Sequence, residues 1–173
     1  MNIYPSFTNI RSHLSHEFLT LCAHARRDSL WARLMGKDTK LPIFPEEAPE
    51  KSPNRQFLGV QEIPVHEIKG TISRQRDFDH RFRPLNNSLR DRWVNVYLTL
   101  HGNGWEPILV HKVGERYYVE DGHHRVSVAH RLGMTFIQAK VWEYPFQVKE
   151  QKQCEPERSA VRHIREWQTK STT

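Results

Sequence analysis

The chain of 173 residues is long enough for one hydrophobic core with appended helices and short for two independent domains. Lysine and arginine number 26 against 20 aspartates and glutamates, a formal charge of +6, which points to an anionic partner such as a nucleotide, a nucleic acid or a membrane headgroup. Only Cys22 and Cys154 occur, in no CxxC pair, and no apolar run approaches the ~20 residues of a bilayer span, so a disulfide framework, a thiolate metal site and a membrane anchor are excluded and a cytoplasmic location is expected.

In chain order, Leu14, Phe18, Leu21, Cys22, Ala25, Leu30, Trp31 and Leu34 recur near helical spacing, with Arg26, Arg27 and Arg33 off that stripe. This predicts one amphipathic helix over 14–35, or two broken near Asp28-Ser29, packed on the main domain. From Gly36 to Asn54 the prolines at 42, 45, 49 and 53, with Glu46, Glu47 and Glu50, sustain neither helix nor central strand, so a linker or wrapped arm is expected. Compact structure begins near Phe57. Val60, Ile63, Val65 and Ile68 suit an edge-type strand, or a strand and turn, interrupted at Pro64. The stretch from Gly70 to Asp79 is polar and irregular and reads as a functional loop.

Asn86-Asn87-Ser88 then offers a cap, and Leu89, Trp93, Val96, Tyr97 and Leu100 follow at helical intervals until Gly102 and Gly104. Residues 108–112 and 116–120 flank Val113-Gly114-Glu115, a β-hairpin signal. Val126, Val128, Ala129 and Leu132 predict a second helix from His123 to Gly133, and 136–142 a closing strand. The tail is charged, and Pro156 starts a helix with Val161, Ile164 and Trp167 on one side. The expected division is a helical extension over 1–36, a Pro-rich linker over 37–56, a domain over 57–145 and a charged helical tail over 146–173.

The most specific chemistry lies in EDGHHRVSVAHRLG, residues 120–133, where a strand ends in glycine and a helix starts directly behind it. Such a junction aims unpaired N–H groups and the positive end of the helix dipole at one spot. Gly122 lets a ligand approach the backbone, Arg125 offers a planar fork for phosphate, and His123 and His124 add donors whose charge can change near physiological pH. The bland alternative is that Gly122 only makes a tight turn and the histidines cap a helix.

WEPILVHKVGERYYVEDGHHRVSVAHRLG, residues 105–133, resembles the N-terminal domain of the ParB family, in which a Pro-Ile-led strand runs through a hairpin into a glycine turn, and is similar to sulfiredoxin at the same turn. The upstream EIPVHEIKGTISRQRDFD resembles the ParB segment from first strand to arginine-bearing loop. The resemblance covers about half the chain. It implies a small α/β (α+β) fold of the ParB/sulfiredoxin superfamily, a mixed sheet with packed helices, here with N- and C-terminal helical extensions. It also implies that Gly122, His123, His124 and Arg125, joined by Arg74 and Arg76 of the loop, bind the phosphates of a nucleoside triphosphate, CTP or ATP, with or without Mg2+.

The departures bear on activity. Where sulfiredoxin has its catalytic cysteine this chain has His123, which argues against sulfinic acid reduction. The loop offers no carboxylate before Asp77, where the superfamily's free-serine kinases place their base, and the helix-turn-helix and dimerisation domains of ParB itself have no counterpart in the fewer than forty residues after Trp142. The expected function is therefore a nucleotide-binding, regulatory ParB-like module associated with DNA or RNA through its basic surface. The alternative is an enzyme of the same fold, a nuclease or phosphotransferase, with Asp121 or His123 as the catalytic group and Asp77 or Asp79 as further candidate bases. Eleven histidines invite a metal reading, but no HxxxH or HxH pair occurs and none is expected. Trp93, Tyr97, Tyr117, Tyr118 and Trp142 fall at core periods, and Arg81, Arg83, Arg90 and Arg92 form a basic stripe beside the loop that reads equally well as a solvated face.

Overall fold

The computed structural model describes residues 7–44, 55–102 and 104–144. The helix expected after Pro156, Cys154 and the prolines at 45, 49 and 53 lie outside those residues. Helix α1 (Phe7–Leu34) contains neither proline nor glycine and runs unbroken through Asp28-Ser29. Its first half behaves as its apolar stripe dictates. Leu14, Phe18 and Cys22 bury against Trp93 and Val94 of helix α2 (Arg90–Gly102) and Val128 of helix α3 (His123–Leu132). Phe18 meets Trp93 edge to face at 5.8 Å. The second half departs from expectation: Leu30, Trp31 and Leu34 are 59–72% exposed, because the helix runs on past the α2–α3 pair that covers its N-terminal half.

Five strands form one mixed sheet in the order β1-β5-β3-β4-β2. Pro64 divides what reads as one apolar run into β1 (Gln56–Pro64), a 3-10 turn (Val65–Glu67) and β2 (Ile68–Thr71), and these two strands occupy opposite edges. Four residue steps from Pro64 to Ile68 span at most about 14 Å, whereas the edges of a flat five-stranded sheet lie about 19 Å apart. The sheet must therefore curl, and inside the curl lie Ile63, Val65, Ile68, Ile108, Val110 and Val119. The predicted hairpin is present as β3 (Ile108–Val113) and β4 (Arg116–Asp121), and the predicted closing strand is β5 (Phe136–Tyr144), parallel to β3 and antiparallel to β1.

Two local features position the site. Part of the expected arm does wrap: the Phe44 N–H donates to the Thr71 carbonyl and the Thr71 N–H to the Pro42 carbonyl, both at 2.9 Å, which covers the free edge of β2. A side chain at Gly70 would strike the Pro42 carbonyl and the Tyr118 ring, so glycine permits this close approach. Before α2, no side chain of Asn86 caps the helix. A 3-10 turn (Asn87–Leu89) leads in, and Asn87 Oδ1 instead accepts from Cys22 Sγ of α1 at 3.4 Å. Among the described residues no helix is long and apolar enough to cross a membrane.

Candidate functional site

Helix α3 follows β4 with one intervening residue, Gly122, at φ +105°, ψ 17°. A Cβ there would overlap Ile108 Cγ2 and lie 2.8 Å from Ile108 Cβ. The fold itself thus demands glycine, through a left-handed backbone and an inward neighbour, whether or not a ligand approaches there. No side chain caps α3, so the N–H groups of its first turn are left to solvent or ligand. Gly133, at φ +67°, ends the helix as the sequence predicts, its N–H and that of Met134 turning back to His130 and Ala129.

His123 and His124 are both buried, and they do different things. The Thr71 hydroxyl accepts the N–H groups of Ser73 (3.2 Å) and Arg74 (3.0 Å), which uses its acceptor capacity. Its single proton has two acceptors in reach, the Val119 carbonyl at 3.4 Å and His123 Nε2 at 2.6 Å; given to the shorter contact, it leaves the proton of a neutral imidazole on Nδ1. The His123 ring stacks on Phe78 at 6.0 Å, and the His124 ring meets Phe78 edge-on at 5.4 Å. Both nitrogens of His124 are buried with no hydrogen-bond partner. Burial, reinforced by Arg74 and the neighbouring His124, pushes His123 down to about 4. Burial with Arg92 and Arg74 does the same to His124. Both are neutral at physiological pH, which corrects the expectation that their charge changes there: burial beside the arginines disfavours an imidazolium.

Arg125 is tied to the fold. It donates to the Glu106 carbonyl at 2.5 Å, to that of Pro107 at 3.3 Å and to Asp121 Oδ2 at 2.5 Å. Asp121 is thereby an ion-pair partner with a largely exposed carboxylate. Arg74 pairs with Asp77 at 3.2 Å. Asp79 is fully buried, held by the Arg83 guanidinium at 2.7 Å and by the N–H groups of Arg81 and Arg83, so no lone pair is available for base chemistry.

Of the residues singled out from the sequence, the fold brings Arg74, Asp121, Gly122, His123, His124 and Arg125 to one cleft of about 50 Å³. Arg76 is exposed and does not line it. Arg92 and Val96 of α2 complete the wall and were missed by sequence reasoning. Their i,i+4 spacing places them on one helix face, but only the packing of α2 on α3 shows that this face looks into the turn. A cleft of that volume is far too small for a whole nucleotide. Val96 and Arg125 also border a wider depression of about 570 Å³, lined by Thr99, Trp105 and Glu106, so the two spaces adjoin. Among the described residues no cluster of three or more His, Cys, Asp or Glu is arranged to hold a metal ion, and Asp77 and Asp121, the carboxylates nearest the cleft, are each held by an arginine.

A protein-family model described as the ParB N-terminal domain matches residues 48–154, more than half of the chain. The solved structure of sulfiredoxin from Arabidopsis thaliana is similar at 24% identity and a TM-score of 0.36, over 47% of this chain and 82% of that one. No curated protein matches the chain.

Proposed function

Since the chain belongs to the ParB N-terminal domain family, we propose that it is a nucleotide-binding module whose phosphate site is the cleft at the start of α3. The observation that carries this reading is His124, a buried imidazole on the lining of the cleft whose two nitrogens have no hydrogen-bond partner, beside the guanidinium groups of Arg74 and Arg92. A buried polar group without a partner costs about 1–3 kcal/mol. A phosphate oxygen in the cleft would relieve part of that cost by accepting from the single N–H of the neutral His124, from the uncapped N–H groups and from the two arginines. The nucleoside would lie outward, in the depression beside Trp105 and Glu106.

The enzymatic alternative, nuclease or phosphotransferase, finds less support in the same geometry. Asp79 is locked, Asp121 is paired, and an imidazole at about 4 is too weak a base for efficient proton abstraction near neutrality. CTP or ATP fits the cleft through its phosphates. A Mg2+ ion would ride on those phosphates with at most Asp121 or Asp77 from the protein.

The test is a melting series with CTP, ATP, GTP and UTP, each with and without Mg2+. At a concentration a hundredfold above Kd, linkage adds about 2.7 kcal/mol, an easily visible rise in Tm. Arg74→Ala with Arg92→Ala should remove that rise. A wild-type Tm that no nucleotide moves at millimolar concentration would dismiss the proposal.

A further inference from the structure

Residues 39–44, the wrapped arm, touch the chain at both feet of the loop that carries Arg74. At the near foot, Pro42 and Phe44 hold the two backbone groups of Thr71, whose hydroxyl in turn accepts from Ser73 and Arg74 and contacts His123. At the far foot, the His80 N–H donates to the Thr39 carbonyl at 2.9 Å, and Lys40 and Asp79 form an antiparallel bridge. Between the feet, Arg74 lines the cleft at the start of α3, and Phe78 lies against the rings of His123 and His124. We infer that the arm is a strap that positions this loop, and that phosphate affinity in the cleft depends on Phe44, which does not line it, keeping the strap seated. The inference rests on the phosphate site proposed above.

Protection of the sheet edge accounts for only half of what the arm does. The contact at Thr71 covers β2, but Asp79 and His80 belong to none of the five strands, so the bonds of Thr39 and Lys40 shield no edge. They fix the end of the loop. Arg74 and Asp77 pair with each other inside it, and therefore move with it.

The strap is secured mainly by side chains. Leu41 is fully buried in the core of the curled sheet, in one cluster with Ile68 and Phe78. Phe44 fills a second cluster, its ring edge to face with His111 at 5.7 Å, Tyr118 at 5.4 Å and Tyr144 at 5.2 Å. Thr39 Oγ1 donates to Ser29 Oγ of α1 at 3.0 Å. Among the described residues, three backbone hydrogen bonds tie the strap to β2 and the loop. A segment with so few opens locally, without global unfolding, once a buried anchor is lost. Removal of the Phe44 ring therefore releases Thr71, and with it the hydroxyl that fixes the backbone of Arg74 and the ring of His123.

The experiment uses the whole chain, amide hydrogen exchange without ligand, and calorimetry with inorganic tripolyphosphate, which presents phosphates without a base. Phe44→Ala should speed exchange of the Ser73 and Arg74 N–H groups roughly tenfold and weaken tripolyphosphate binding by about tenfold, the loss of one charge-assisted contact. Phe44→Leu keeps a buried apolar anchor and should recover most of that affinity. Ile137→Ala empties a buried position on β5 and should lower Tm while leaving the affinity of the folded chain unchanged. Ser29→Ala withdraws the hydroxyl that holds Thr39, and should speed exchange of the His80 N–H and weaken binding by a smaller factor, which keeps the test intact should Phe44→Ala fold poorly. Unchanged exchange at Ser73 and Arg74 in Phe44→Ala, wild-type affinity in that variant, or equal losses of affinity in Phe44→Ala and Ile137→Ala would each overturn the inference and leave the phosphate site standing. A wild-type chain that binds no tripolyphosphate at millimolar concentration would remove the phosphate site itself, and the strap's part in it.

Discussion

His124 is where stability and ligand chemistry conflict. Its two orphaned nitrogens are a cost to the folded chain, so His124→Leu should raise stability by about 1 kcal/mol in a urea titration while lowering nucleotide affinity. A loss of stability would show instead that the imidazole contributes packing that leucine cannot replace. The histidines also set a pH dependence. Above about 6.5 the imidazoles are neutral in folded and unfolded chains alike. Below it the unfolded chain takes up protons that the folded chain refuses until pH approaches 4. Stability should therefore fall as pH drops from 6.5 toward 4, by on the order of 3 kcal/mol per histidine. Denaturation midpoints across that window check this, and His124→Leu should flatten the curve. The sequence names both histidines as site residues but not their charge, because protonation follows from burial behind Thr71 and Phe78, residues about fifty positions upstream. Arg92 reads as part of a basic stripe for the same reason: its neighbour across the cleft is remote in sequence.

The glycine turn and α3 are legible as an element, from the strand that ends at Asp121 to the glycine that stops the helix. Less legible is what the turn does for the fold, since Ile108 of β3 and Glu106 just ahead of it reach it from elsewhere in the chain. Gly122→Ala combines a left-handed backbone with a clash against Ile108 and should cost at least about 2 kcal/mol. Arg125→Ala removes bonds to two carbonyls ahead of β3 as well as the Asp121 ion pair, so it should lower Tm even without nucleotide. Arg74 and Arg92 are therefore the cleaner probes of binding. Thermal melts of Arg125→Ala and of the Arg74/Arg92 variant without ligand make the comparison, and equal Tm values would contradict the structural role given to Arg125. The run from 57 to 68 shows the limit of local pattern. Pro64 marks the break, but that the halves become opposite edges of one sheet is decided by partners that lie up to 85 residues ahead, as Trp142 does of Phe57.

At the scale of the molecule, α1 joins the core through Phe18, which is fully buried against Trp93. Phe18→Ala should destabilise the whole chain by roughly 3–5 kcal/mol in a single cooperative transition. A separate early transition would mean that α1 unfolds by itself. The strand order has a further consequence in time. β5 is the last described strand, yet it lies between β1 and β3. On a ribosome adding about 5–20 residues per second, the roughly eighty residues between the ends of β1 and β5 take about 4 to 16 s. Throughout that interval the nascent β1 has no neighbour, and the β3–β4 hairpin keeps one edge open. The hazard during synthesis is edge-to-edge pairing with another growing chain, and a chaperone that holds these edges apart until β5 emerges would protect the chain where faster local folding could not.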